Sequence, residues 1–231
     1  MTVRNFTSEA AASSASANED FIGPRSALLI IDLQPDFMPG GALAVADGDA
    51  VVAPIAALVG RWRQKADNGP IIATQDWHPP GHISFASRHQ KSPFSVIPLN
   101  GGEQTLWPDH CVQGSAGAAL HKGLPQEPLQ LILRKGAWPD ADSYSAFREN
   151  RGTDGKRRTT GLSALLLARD VRRVFICGLA RDFCVAWSAL DAAADGFSVV
   201  VIDDLCRAVY PENAAQTDAE LAAAGVQCVK S

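Results

Sequence analysis

The sequence has no apolar run of the roughly 18 residues that a membrane-spanning helix requires. It also has no basic stripe interleaved with aromatics, and its formal net charge is −4. The first absence argues against a membrane partner and the second against nucleic acid. None of the five cysteines (Cys111, Cys177, Cys184, Cys206 and Cys228) forms a C-x-x-C pair. The count is odd and no secretory signal precedes them, which argues against a disulfide framework and for a reducing cytoplasm. Most of these thiols read as small buried apolar groups. The Ala/Ser-rich start, MTVRNFTSEAAASSASANEDFIGP, lacks the apolar core of a signal peptide and the arginines of a transit peptide. Residues 1–24 are therefore expected to form a disordered tail, and residues 25–231 one domain.

What the sequence does contain is alternation. Short apolar runs recur at Ala27–Ile31, Ile71–Thr74, Leu129–Leu133, Val174–Cys177, Val199–Ile202 and Val226–Val229. Most lack polar alternation, which predicts strands covered on both faces. Helical patterns lie between them at 49–67, 161–169, 182–195 and 212–224, with Gly196 and Gly225 as stops. The pattern predicts a single α/β domain with a mainly parallel sheet and helices on both faces. Residues 76–128 break the rhythm. They are rich in Pro, Gly and His, with at most a short helix near 115–121, and so long an irregular stretch points to function. Residues 148–158 read as a solvated charged loop.

In a parallel sheet built by right-handed crossovers the strand C-termini share one edge, where ligands bind. Asp32 closes the first apolar run, Asp76 follows the second, Lys135 the third, and Cys184 lies in the turn after the fourth. Asp32 reads either as a turn or N-cap aspartate or as a desolvated carboxylate suited to proton transfer. Lys135 is either a surface lysine or an ammonium that favours a thiolate. With Asp182 as a helix N-cap, Cys184 would fall in the first turn, where free amides and the dipole lower a thiol's pKa and can bind an oxyanion.

The stretch TQDWHPPGHISF, followed by WPDHC, offers Asp76, His78 and His110 as ligands for one divalent ion that keeps open positions. His82 is either a fourth ligand or a support for the ligands. Zinc suits this N/O set foremost, with iron(II) or manganese(II) as alternatives. His89 and His121 read as surface residues. Phe37 and Trp107 bring aromatic surface to the same edge as core or as pocket walls.

The segments LLIIDLQPDFMPGGALAV, TQDWHPPGHISF, WPDHCVQGS, LRKG, DSYSAF and GLARDFCV resemble, in order over about residues 26–229, the nicotinamidases of the isochorismatase-like hydrolase superfamily. The resemblance implies an α/β fold with a six-stranded, mainly parallel sheet flanked by helices on both faces, a Rossmann-like three-layer sandwich. It implies a nucleophile at Cys184, its acid–base partner at Asp32 and the lysine at Lys135. It implies metal at Asp76, His78 and His110, with His82 joining in some members. Oxyanion amides fall on Ala180 and Cys184, a cis peptide on Leu179–Ala180, and walls of a nicotinamide pocket on Phe37 and Trp107. The implied reaction is hydrolysis of nicotinamide to nicotinate and ammonia through a thioester, in NAD salvage, with pyrazinamide as a further substrate. Arg181 departs from the threonine usual there. Three alternatives stay open: a sibling amidase of carbamoyl or ureido compounds, a hydrolase using metal-bound water, and a catalytically silent binder of small ligands. A homo-oligomer is left open.

Overall fold

The computed structural model describes residue 23 and residues 25–64 and 69–231, so the expected tail lies outside the described residues. The six apolar runs each form a strand: β1 (Ser26–Ile31), β2 (Ile71–Asp76), β5 (Leu131–Lys135), β8 (Arg173–Leu179), β9 (Ser198–Arg207) and β10 (Gln227–Val229). They pair in the order β10-β9-β8-β1-β2-β5, every pair parallel. β1 is buried along its whole length because strands flank it on both sides and helices cover both faces. At the sheet's margin β5 alternates between exposed and partly buried residues, as an edge strand does.

Among the described residues four α-helices complete the layers: α1 (Val52–Gln64), α2 (Leu162–Ala168), α3 (Ala186–Ala194) and α4 (Ala214–Ala223). The path steps from β1 through α1 to β2 in one direction, and from β8 through α3 and α4 to β10 in the other. Right-handed crossovers running in opposite directions place α1 on one face and α3 with α4 on the other. α1 buries Val52, Ile55, Leu58, Val59 and Trp62, the three-and-four spacing of one helical face, and the Trp62 ring meets Phe175 of β8 edge-on. α3 stops at Gly196, whose φ of +88° is left-handed. The order reverses between β1 and β8, and a cleft opens there beyond the strand C-termini. Among the described residues no helix is long and apolar enough to cross a membrane.

Three local expectations differ from what forms. Within 76–128, β3 (Val96–Leu99) and β4 (Gly102–Thr105) make an antiparallel hairpin. Residues 115–121 form turns instead of a helix, because their backbone serves cross-links: Ala118 O accepts the amides of both Gln34 and Gln75, and Gly117 O accepts the Asp36 N–H. The supposed solvated loop at 148–158 is a second hairpin, β6 (Arg148–Arg151) and β7 (Arg157–Thr159). Two of its arginines reach across, Arg157 to both Asp191 oxygens at 2.8 and 2.7 Å and Arg148 to Asp195, which ties the hairpin to α3.

Candidate active site

Four strand ends converge on one ammonium. Lys135, the last residue of β5, is fully buried, and its Nζ lies 2.8 Å from Asp32 Oδ2 and 2.5 Å from Asp76 Oδ1. The same Nζ donates to Ser143 O at 3.0 Å and stands 3.4 Å from Cys184 Sγ. One carboxylate oxygen of Asp32, one of Asp76 and the Cys184 sulfur lie within 4.8 Å of one another. The three predicted catalytic side chains are thus in mutual reach.

Local structure fixes each of them. Asp32 takes a left-handed φ of +48° directly after β1, and Thr74 of β2 brackets it, accepting its N–H at 3.0 Å and donating to Oδ1 at 2.6 Å. Asp76 ends β2, and the Gln34 carboxamide accepts its N–H and donates to its carbonyl, at 2.8 and 2.9 Å. Cys184 sits in a π-helical turn, Arg181–Val185, that leads into α3. Such turns recur at functional sites. The peptide Leu179–Ala180 before it is cis, as the resemblance implies.

Burial and charge set the protonation pattern. Desolvation raises the Asp32 carboxyl above 3.8, and Lys135 only partly opposes it. For Asp76 the same desolvation is outweighed by Lys135 and His78, and its carboxyl falls well below 3.8. Burial disfavours the Lys135 ammonium, yet Asp32 and Asp76 more than offset this and raise its pKa well above 10.5. Desolvation drives the Cys184 thiol well above 9.0, with Lys135 pulling the other way and Asp32 and Asp76 adding to the rise. The expected lowering by a helix terminus is therefore not what this site does. Asp182, expected as the N-cap, instead accepts the N–H groups of Val209 and Tyr210 at 2.9 and 2.8 Å. Burial thus favours the thiol form of Cys184, and the raised Asp32 carboxyl lies beside it.

The ligand candidates meet on the other side of Asp76. Its Oδ2 lies 3.5 Å from His78 Nε2 and 3.8 Å from His110 Nε2. A tetrahedral ion with bonds of about 2.1 Å separates its ligands by about 3.4 Å, so this triplet fits a small divalent cation. The orientation of the rings fits as well. His78 Nδ1 faces Gly136 O at 2.9 Å and His110 Nδ1 faces Pro108 O at 2.8 Å, so each ring gives its N–H to a carbonyl and turns the Nε2 lone pair inward. At Gly136, whose φ is +65°, a Cβ would approach the His78 ring to 2.4 Å, so the glycine after Lys135 makes room for that ring. His82 lies outside the Asp76–His78–His110 triplet but joins His78 and Asp142 in a second group of ligand atoms within 4.8 Å of one another. Its Nδ1 meets Ser84 Oγ at 2.8 Å and its Nε2 faces the Trp138 and Ala141 carbonyls at 3.0 and 3.1 Å. It stacks on His78, centroids 4.2 Å apart, and burial lowers its pKa to about 4, so it supports that ring as a neutral imidazole. His89 and His121 are half-buried and outside the cluster.

A narrow pocket opens onto Cys184, Asp76 and His110. Phe37 and Trp107 both line it, as expected. Sequence reasoning missed Tyr144 and Phe183, which complete the aromatic walls: Trp107 meets Phe183 edge-on at 5.0 Å and donates through Nε1 to Tyr144 Oη at 3.2 Å. Tyr144 lies in DSYSAF and Phe183 directly before Cys184, so nearness to conspicuous segments was the available signal. Ala180 lines the pocket beside Cys184. Arg181 does not line it, because its guanidinium is held by Asp203 and Asp218, each at 2.5 Å.

Known proteins resemble this chain in sequence and fold. The isochorismatase domain family matches residues 26–231. A nicotinamidase of Escherichia coli (strain K12) is 45% identical over 87% of this chain and 93% of its own. The solved nicotinamidase/pyrazinamidase of Acinetobacter baumanii is 42% identical, with a TM-score of 0.81 over 89% of this chain and 96% of its own. The pyrazinamidase of Pyrococcus horikoshii, solved in complex with zinc, is 34% identical, with a TM-score of 0.72 over 90% of this chain and all of its own. With a six-stranded parallel sheet and full-length relatives of this kind, the chain belongs to the isochorismatase-domain family.

Proposed function

We propose that this protein is a nicotinamidase: a cysteine amidohydrolase that converts nicotinamide to nicotinate and ammonia, with pyrazinamide as a second substrate, in NAD salvage. The observation that carries the reading is the contact of Lys135 with Asp32, Asp76 and Cys184 at the floor of an aromatic pocket. The 45% identity to a nicotinamidase over most of both chains supports the substrate.

In this reading Asp32 takes the proton of the Cys184 thiol, and the Lys135 ammonium offsets the charge of the pair. The sulfur attacks the carboxamide carbon, and the backbone amides of Ala180 and Cys184 hold the oxyanion. Protonated Asp32 passes its proton to the leaving ammonia. Asp32 then removes a proton from the water that cleaves the thioester, so one carboxylate serves both halves. Phe37, Trp107, Tyr144 and Phe183 enclose a flat ring and exclude bulk water. Asp76, His78 and His110 would hold a divalent ion, zinc foremost, and such an ion supplies a Lewis-acid anchor for a ring nitrogen. His82 holds the His78 ring in place.

The metal triplet sets this reading apart from a carbamoyl amidase, and the buried Asp32–Lys135–Cys184 set from a hydrolase driven by metal-bound water alone. The five free cysteines suit a cytoplasmic site of action. An ammonia-release assay with nicotinamide, an N-carbamoyl amine and isochorismate tests the proposal. Release from nicotinamide that vanishes in Cys184→Ala, with metal content unchanged, is the expected result. Turnover of the carbamoyl compound alone, or full activity in Cys184→Ala, would refute it.

A further inference from the structure

The carboxylate of Asp182 takes no part in the mechanism above, yet it joins two segments that both face the pocket. β9 pairs with β8 as far as Arg207, opposite Leu179, and there the ladder ends. Beyond it the backbone N–H groups of Val209 and Tyr210 have no strand to donate to. Asp182 meets both: its Oδ1 accepts from Val209 at 2.9 Å and its Oδ2 from Tyr210 at 2.8 Å. Hydrogen bonds to an ionised acceptor are the stronger kind, and a carboxylate that takes two consecutive amides fixes the direction of the chain as well as its distance.

Both ends of this clasp bear on the pocket. Asp182 lies in the π-helical turn, directly before Phe183 and two residues before Cys184. Val209 lines the pocket together with Phe183 and Cys184. The Tyr210 ring packs against the Phe183 ring, centroids 6.0 Å apart. Val209 and Tyr210 are only half-buried, so packing gives their segment a limited hold. A further bond, from Asn213 N–H to Tyr210 O at 3.0 Å, is local and does not tie the segment to the pocket.

The sulfur is held independently of the clasp. Ala180 O accepts the N–H groups of Phe183 and Val185 at 3.1 and 3.0 Å, and Ser188 Oγ donates to Cys184 O at 2.6 Å. Arg181, in the same turn, pairs with Asp203 and Asp218. Removing the Asp182 carboxylate would therefore release the wall at Val209 and leave the turn in place.

We propose that Asp182 is a positioning residue for substrate binding: acting through Val209, it sets the wall against which the flat ring of the amide is held. This rests on the nicotinamidase reading. Contact between a wall and a ring remote from the reacting carbon is made alike in the ground state and the transition state. Its loss raises KM and leaves kcat.

The test is kcat and KM for ammonia release from nicotinamide in the metal-loaded wild type, Asp182→Ala, Asp182→Asn, Val209→Ala and the double variant Asp182→Ala/Val209→Ala. Asp182→Ala should raise KM about tenfold with kcat within about twofold. Val209→Ala should do the same, since alkyl groups lost from an apolar pocket are worth about tenfold or more. The double variant should lie within about twofold of Val209→Ala in KM, because one residue acts through the other. Asp182→Asn keeps one acceptor and sets an NH2 group against the second N–H, so its KM should fall between wild type and Asp182→Ala. Unchanged KM in Asp182→Ala, a loss carried by kcat, or KM effects that multiply in the double variant would overturn the proposal. If Asp182→Ala does not fold, Asp182→Asn and Val209→Ala decide, and wild-type KM in either one refutes it. A wild type that releases no ammonia from nicotinamide defeats the nicotinamidase reading and the clasp with it. An active wild type whose variants keep its KM defeats the clasp alone.

Discussion

Lys135 and His110 stand on opposite sides of Asp76, yet the fold delivers them by different means. Lys135, Asp32 and Asp76 come from adjacent parallel strands whose registers are locked residue by residue, for instance Asp76 opposite Lys135. His110 and Trp107 arrive from the irregular stretch and rest on isolated bridges, His78 with Val112 and Phe85 with Trp107, and on single side-chain contacts such as Asp36 Oδ2 to the Cys111 N–H at 2.7 Å. The carboxylates and the ammonium of the proposed reaction, groups that need sub-ångström aim, are built on the sheet. The groups that would hold an ion and wall off a ring are built on loops tied down at a few points. Asp76 belongs to both halves, one oxygen facing Lys135 and the other the two imidazoles.

The largest effect should come from breaking the sheet-built half. Lys135→Met leaves the buried Asp32 and Asp76 carboxylates without their shared cation. It should lower kcat about a thousandfold and cost about 3–5 kcal/mol of stability, read by denaturant unfolding. Breaking the loop-built half should cost less. His78→Ala should weaken metal retention about 10–100-fold and raise KM for nicotinamide, with the Cys184 thiol still alkylated by a small reagent. If His78→Ala instead matched Lys135→Met in kcat and stability, the two halves would not be separable.

The pH profile sharpens the contrast within the first half. Asp32 must be ionised to take the thiol proton, and its folded pKa is raised above 3.8. Activity should therefore rise with pH through an acid limb displaced upward from the ordinary carboxylate range. Lys135, held well above 10.5, should contribute no alkaline limb. An acid limb at or below the ordinary value in kcat/KM would contradict the assignment of Asp32 as base. The smallest effect belongs outside both halves. Arg181→Thr should change kcat/KM for nicotinamide less than about twofold, because the guanidinium is engaged with Asp203 and Asp218 away from the pocket. A larger change would mean that the arginine reaches the substrate.

The sheet was legible because buried parallel strands must be continuously apolar, and the ends of such runs mark the ligand edge. Asp32, Asp76, Lys135 and Cys184 could be placed there before any contact was known. The hairpin β6–β7 was not legible, since RENRGTDGKRR shows its charges but not the aspartates Asp191 and Asp195 that neutralise them from more than thirty residues away. The state of the Cys184 thiol was misread for a related reason. Position in a helical turn is local, whereas the desolvation that raises its pKa comes from packing that no local pattern records. The surroundings of His82 could not be read from spacing, because the two carbonyls it faces, of Trp138 and Ala141, lie far along the chain.

The central claim is that the sulfur of residue 184 carries the acyl group. Acid quenching of the enzyme during turnover of nicotinamide, followed by peptide mass analysis, tests it most directly. The account predicts a nicotinoyl adduct on the peptide containing Cys184 and on no other cysteine. Steady turnover with an adduct on another residue, or with no adduct in a rapid-quench series, would contradict it.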